Sequence, residues 1–395
     1  MQRRIERVRI EGIRRDARSR GAGGAAQLRR PCGGAYAGLT AAVVRLWLVS
    51  QETPPYPWPA GSATGVGSMP GTDPAEAVAV VLGELPDFPH LPELPGRGPG
   101  ADLTGRTAAL LVGLAVETAT SGWRFAARPG RDLRRAAGFR QQDLDALEQA
   151  AGSLDTALKV QVCGPWTMAA TIELSRSQNP ALADPGAVAD LTESLAEGVA
   201  AHLAEVRKRI PAALVLLQLD EPALPAVLAG AVPTASGLNM VAPVDATVAA
   251  AALRTVLEAA KAFAIVHCCA AGIPFKIIRD CGAGGIGFDL SLLRREEEDG
   301  LAETVESGLG ILAGVMNTTV KRDFPPDSAT PRDAAAAVIE LWRRIGLPDA
   351  ALAEQVVITP ACGLASASPA GAREALARCR EAARILPELI EEGPR

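Results

Sequence analysis

His267, Cys269 and Cys362 place one imidazole and two thiols at the ends of apolar runs, a donor set suited to zinc. The first two close Phe263-Ala264-Ile265-Val266-His267-Cys268-Cys269, whose opening reads as a buried strand; the third closes Val356-Val357-Ile358-Thr359-Pro360-Ala361-Cys362. In an extended chain residues i and i+2 point to the same side, so His267 and Cys269 can share an ion while Cys268 faces away. Cysteine is also a common core residue, and a histidine at a strand end is often only hydrogen-bonded. The zinc reading gains weight because the chain has only three histidines, and one of them stands beside a thiol at a strand end. Thiolate-rich zinc is a poor Lewis acid, but it holds an incoming thiol as a thiolate whose sulfur still attacks an alkyl group. The chemistry indicated is thiol alkylation rather than hydrolysis.

Carboxylates stand at neighbouring strand ends. Asp289, closing Gly285-Ile286-Gly287-Phe288-Asp289, is either the fourth metal ligand or a cap on the following helix, from Ser291 onward. Asp220 and Glu221 follow Leu214-Val215-Leu216-Leu217-Gln218-Leu219 and put two acids at a strand mouth, where one can bind a substrate ammonium. Gly67 and Ser68, after Gly65-Val66, let a ligand approach the backbone, and the hydroxyl and N–H of Ser68 suit a carboxylate. A tight turn at Met69-Pro70-Gly71 accounts for the same residues without a ligand.

These residues are far apart in sequence and need a fold that gathers strand ends. From Pro54 onward, short apolar runs alternate with Ala- and Leu-rich amphipathic stretches, the pattern of repeated βα units. Strands are expected to end near Ser68, Phe125, Cys163, Asp220, Cys269, Asp289, Met316 and Cys362, which makes an α/β (β/α)8 TIM barrel over 54–395. The Pro- and Gly-rich stretch 86–100 reads as a loop. An open doubly wound sheet is disfavoured, because no Gly-X-Gly-X-X-Gly turn follows an early strand. Residues 1–53 are Arg-rich, lack a sustained apolar period and read as a disordered extension.

A net charge of −5 gives no electrostatic reason to expect nucleic acid or an anionic membrane as partner. The seven cysteines are too scattered for a disulfide framework, and no charge-free apolar stretch of membrane-spanning length occurs. Both point to a cytoplasmic protein with free thiols. Of the other histidines, His202 falls in a helical stretch and reads as surface or partly buried. His90 sits in a loop that could fold over a barrel mouth.

Taken together, Val66-Gly67-Ser68-Met69-Pro70, Gln218-Leu219-Asp220-Glu221-Pro222-Ala223-Leu224, His267-Cys268-Cys269 and Pro360-Ala361-Cys362-Gly363-Leu364 resemble, in order, the catalytic barrel of the cobalamin-independent methionine synthase family. The resemblance runs from about Thr64 to Cys362 and looks like a stand-alone core form. It implies Zn2+ on His267, Cys269, Asp289 and Cys362, with Asp289 in place of a Glu and so shorter by one carbon–carbon bond, about 1.5 Å. It implies homocysteine on Gly67, Ser68, Asp220 and Glu221. The family's proton-donating His is matched by Gly314-Val315-Met316-Asn317-Thr318-Thr319, so Thr319, or a water in its stead, is the candidate. The Trp that stacks on folate is expected near Thr171, with Trp166 close by. The Glu that holds the pterin is replaced near Ala226, and no counterpart of the Glu that binds the homocysteine amine is apparent in 93–106. The methyl donor is therefore methyltetrahydrofolate or a methylcorrinoid, free or carried on a corrinoid protein. Two alternatives stand beside this: a zinc- and thiol-binding barrel that has lost turnover, and a metal-free enzyme of the uroporphyrinogen decarboxylase type.

Overall fold

The computed structural model describes residues 56–316, 318 and 330–392; the expectations for 1–53 and for Thr319 fall outside them. The strands are β1 (Ala115–Ala119), β2 (Gly122–Ala126), β3 (Ala157–Cys163), β4 (Ile172–Glu173), β5 (Leu214–Asp220), β6 (Ala264–Cys268), β7 (Gly285–Asp289), β8 (Gly310–Met316) and β9 (Val356–Pro360). Six of them form one parallel sheet in the order β3-β5-β6-β7-β8-β9. Parallel neighbours need crossovers, and helices supply them. These are α1 (Pro74–Glu84), α2 (Leu103–Ala108), α3 (Arg131–Ala151), α4 (Pro165–Thr171), α5 (Pro185–Arg209), α6 (Leu224–Leu228), α7 (Ala246–Ala260), α8 (Phe275–Asp280), α9 (Glu298–Glu306), α10 (Pro331–Arg344), α11 (Asp349–Gln355) and α12 (Pro369–Glu392). Several start at an Asp or Thr whose side chain accepts from first-turn amides: Asp73 before α1, Asp184 before α5, Asp245 before α7 and Thr330 before α10.

The sheet curls and closes through two irregular segments. Ala63 bridges Ile358 of β9, His90 bridges Lys159 of β3, and Ser68 bridges Glu93. The joints are backbone hydrogen bonds: Thr64 N to Ile358 O (3.1 Å), Leu91 N to Lys159 O (2.9 Å) and Glu93 N to Gly67 O (3.1 Å). This corrects one expectation. The second stave is the buried stretch from Phe88 to Glu93, inside the segment read as a loop. The run ending near Phe125 forms instead an antiparallel hairpin, β1 with β2, in a separate sheet with β4. Pro89 and Pro92 remove ladder donors and break the period-2 pattern, which hides this stave from sequence.

Strand alternation divides the core into two. Outward-facing residues such as Leu158, Val160, Leu217, Val266 and Ile286 pack beneath the helices. Inward-facing Phe88, Ala157, Leu216, Ile265, Leu312 and Val357 meet around Trp58 in a second cluster that plugs the barrel base. Trp58 stacks on Tyr56 and Phe88 and meets Phe263 edge-on, with centroids 5.4, 5.6 and 5.3 Å apart. Its Nε1 donates to the Glu354 carbonyl (3.1 Å). Gly310 makes room for it, since a Cβ there would lie 2.5 Å from the indole ring. Among the described residues no helix is long and apolar enough to cross a membrane.

His202 departs from its expected exposure: it lies on the buried face of α5, only 3% exposed. Burial, reinforced by the charges of Arg140 and Arg106, holds its imidazole down at about 3.

Trp58→Ala should cost about 3–5 kcal/mol in chemical denaturation, the range for emptying a large aromatic site. An unfolded chain protonates His202 below its ordinary 6.5 whereas the folded chain does so only near 3, so stability falls as pH drops through that window. His202→Gln should flatten the stability–pH curve there by about 1.4 kcal/mol per pH unit. An unchanged slope would show that His202 titrates normally.

Candidate functional site at the barrel mouth

Parallel registry brings the strand ends to one face. Asp220 lies beside Cys163 on one side and His267 on the other, and Asp289 lies beside Gly314. The Cys269 and Cys362 sulfurs, 93 residues apart in sequence, are hydrogen-bonded at 3.6 Å. Sharing that proton pushes the Cys362 thiol down to about 6 against the opposing effect of burial, and pushes Cys269 up. Cys268 is buried, and burial raises its thiol to about 11.

His267 is 5% exposed, and its Nε2 has no hydrogen-bond partner. Burial, with the nearby Lys159 charge, holds it neutral, down at about 3. A neutral imidazole is the form that binds metal. It fits because the facing residue is Gly287, where a Cβ would come within 2.9 Å of Nδ1. Asp289 takes the capping role left open by sequence: its Oδ1 accepts from the Ser291 amide (2.9 Å) and hydroxyl (2.7 Å). Among the described residues, no three or more His, Cys, Asp or Glu side chains stand together as a ready-made metal site. The donor chemistry nonetheless suits zinc. The orphaned imidazole is neutral, and the sulfur separation is close to the roughly 3.8 Å spanned by two thiolates about 2.3 Å from a tetrahedral ion.

Beside the sulfurs lies a cluster of buried charge. Ser68 O accepts from the Leu364 amide (2.8 Å), which ties the Gly67–Ser68 segment to the loop of Cys362. Gly363 presses so closely there that a Cβ would fall 2.0 Å from Ser68 Oγ. Glu93, bridged to Ser68, is 5% exposed and ion-pairs with Arg106, and Gln161 Nε2 approaches it at 3.5 Å. Asp220, 7% exposed, accepts from Gln218 Nε2 (2.7 Å). Burial raises both acids; the Arg106 and Lys159 charges oppose this at Glu93, and Lys159 does so at Asp220. Lys159 is fully buried and donates to the Val66 carbonyl at 2.9 Å.

Glu221 behaves differently from its neighbour. Its carboxylate accepts from Trp166 N (2.9 Å), Thr167 N (2.7 Å) and Thr167 Oγ1 (2.6 Å), capping α4 against Gly164. Burial pushes it up to about 7 despite those donors. Trp166 is 1% exposed and donates through Nε1 to Ala249 O, so it packs in the core and offers no stacking face. His90 is 1% exposed within the barrel wall, its ring against Gly65, rather than in a loop over the mouth. Sequence reading missed Glu93, Arg106, Lys159 and Gln161. A signal existed for two of them, because Lys159 and Gln161 sit at alternate positions of an otherwise apolar strand.

These features define a (β/α)8 barrel whose strand-end mouth combines thiols, a neutral imidazole and buried acids. The family model described as cobalamin-independent synthase, catalytic domain, matches residues 62–385, and the chain belongs to that family. The fold is similar to a solved B12-independent methionine synthase from Shewanella sp. W3-18-1, in complex with selenomethionine, at TM-score 0.55 and 14% identity, over 84% of this chain and 99% of that one. A mandelate oxidase mutant with a monooxide FMN adduct overlaps at TM-score 0.34 and 12% identity, over 82% of this chain and 74% of that one, too slight a likeness to inform the fold. No curated protein is similar enough to count as a match.

Glu221→Gln turns an amide NH2 toward N–H donors and should destabilise the fold by about 1–3 kcal/mol. A melting temperature equal to that of the parent would show that the cap contributes nothing.

Proposed function

We propose that this protein is a zinc-dependent methyltransferase that moves a methyl group from methyltetrahydrofolate or a methylcorrinoid to the thiol of homocysteine. Family membership supports methyl transfer to that thiol in general terms. The observation that carries the finer reading is the Cys269–Cys362 sulfur pair, at 3.6 Å, in the same mouth as the unpartnered His267 imidazole.

His267, Cys269 and Cys362 would hold the zinc, with Asp289 joining as fourth ligand by releasing Ser291. When bound, zinc supplies stabilisation of the acceptor thiol as thiolate without quenching its nucleophilicity. The protein's own residues fix the acceptor. Ser68 and the Gly67 backbone receive its carboxylate, Asp220 receives its ammonium, and Glu93 faces the same space with its charge balanced by Arg106. Glu221, through the α4 cap, keeps Asp220 at the strand end. Displacement is in line: a sulfur lone pair forms the S–CH3 bond while the bond from methyl to the donor breaks and its electron pair leaves with the donor. This requires donor carbon and sulfur about 3–3.5 Å apart. Thr319, or a water in its place, is the proposed proton source for the departing donor.

A zinc- and thiol-binding barrel without turnover is the second reading, favoured by the Asp289 carboxylate being engaged with Ser291.

Zinc per purified chain, by elemental mass spectrometry, should be close to one. Cys362→Ser should lose the metal and lower methyl transfer to homocysteine by at least about a thousandfold, on the scale expected for removal of a nucleophile-holding group. Full activity in that variant would overturn the assignment, and zinc without turnover in the parent would establish the second reading.

A further inference from the structure

We propose that Lys159 and Gln218, below the mouth, form a brace that holds the Gly67–Ser68 segment at a fixed distance from Asp220, and that Lys159 is thereby a positioning residue for amino-acid binding. The proposal rests on the amino-acid-thiol reading above.

The first stave, from Ala63 to Ser68, has no backbone hydrogen bond at Val66 among the described residues. Toward β9 and the loop after it, its bonds are those of Thr64 N with Ile358 O, Ile358 N with Ser62 O and Leu364 N with Ser68 O; toward the second stave they lie at Gly67 and beyond. Between these, the Val66 carbonyl is held by two side chains instead. Lys159 Nζ, from β3, and Gln218 Nε2, from β5, each donate to it at 2.9 Å. The same Gln218 nitrogen donates to Asp220 Oδ1 at 2.7 Å. One amide group therefore spans the carbonyl just before Gly67 and the carboxylate assigned to the ammonium. Lys159 supplies the second hold on that carbonyl, and its charge also faces Asp220 and Glu93.

A structural role alone gives no reason for lysine here. Its side chain is 0% exposed, so the ammonium is fully desolvated. Two residues earlier on the same strand face, Ala157 belongs to the apolar plug. An apolar side chain at 159 would extend that plug without the cost of burying a charge. What lysine adds is a donor long enough to reach Val66 O from across the barrel interior.

The test is calorimetric binding of L-methionine and of its deamino analogue, 4-(methylthio)butanoate, to the full zinc-loaded chain, with kcat and KM measured in parallel. Lys159→Met keeps the side-chain length and removes the donor. It should weaken L-methionine about tenfold, as for loss of one charged hydrogen bond. The analogue engages only the Gly67–Ser68 side, and its Kd should stay within about threefold. KM for the thiol should rise with kcat nearly unchanged, and the melting temperature and zinc content should equal or exceed those of the parent. Gln218→Met, a second variant, should show the same L-methionine-selective loss and decides the matter where Lys159→Met does not fold. A parental Kd for L-methionine in the folded variant, or equal weakening of both ligands, overturns the brace. A parent chain that itself fails to distinguish L-methionine from its analogue overturns the amino-acid reading, and the brace with it.

Discussion

Closure of the strand ring is the constraint on which the mouth depends. Ala63 pairs with Ile358 of β9, Ser68 with Glu93, and His90 with Lys159 of β3, and those three contacts convert a curled six-stranded sheet into a closed wall. Parallel strands in a closed ring all end on the same face, so side chains hundreds of residues apart become neighbours. Loss of either of the first two bridges would separate Ser68 from Glu93 or from the loop of Cys362, and with them the two sides of the proposed ligand space.

Inside the ring, polarity changes along the barrel axis. The base is filled by Trp58 and its apolar neighbours, while the levels above carry Lys159, Gln218, Gln161, Asp220 and His267. Such burial is tolerable only when charge and hydrogen bonding are satisfied locally. Here two acids, Glu93 and Asp220, stand with two bases, Arg106 and Lys159. The arrangement is balanced as a group, and adding a zwitterionic amino acid would leave that balance intact. His267 Nε2 lies outside this compensation, without a hydrogen-bond partner among the described residues, as do Gln161 Oε1 and both ring nitrogens of His90.

Glycine sets how closely these parts approach. Gly67 faces Gln161, Gly287 faces His267 and Gly363 faces Ser68; a Cβ at these positions would lie 2.8, 2.9 and 2.0 Å from the facing side-chain atom. The need is for space, not for an unusual backbone angle. A methyl group at any of the three would push a proposed binding residue off its position.

Much of this was legible in the sequence. Repeated βα patterning indicated the barrel, and strand-end chemistry singled out His267, Cys269, Cys362, Asp220 and Ser68, because parallel strands alternate their faces with period 2 and finish at one mouth. The second stave was not legible: prolines 89 and 92 erase its alternation, while β1 and β2 show strand composition without belonging to the barrel. Nor could sequence divide the adjacent acids of Asp220-Glu221 between the mouth and the α4 cap, since only the packing of α4 decides which carboxylate meets the amides of Trp166 and Thr167. Glu93, Arg106 and Lys159 acquire meaning only when three segments meet across the interior. Sequence by itself determined which chemistry the chain carries, because residue type and period are local properties. Tertiary structure alone decided which groups face one another, because that depends on ring closure and on where burial leaves a charge with a partner.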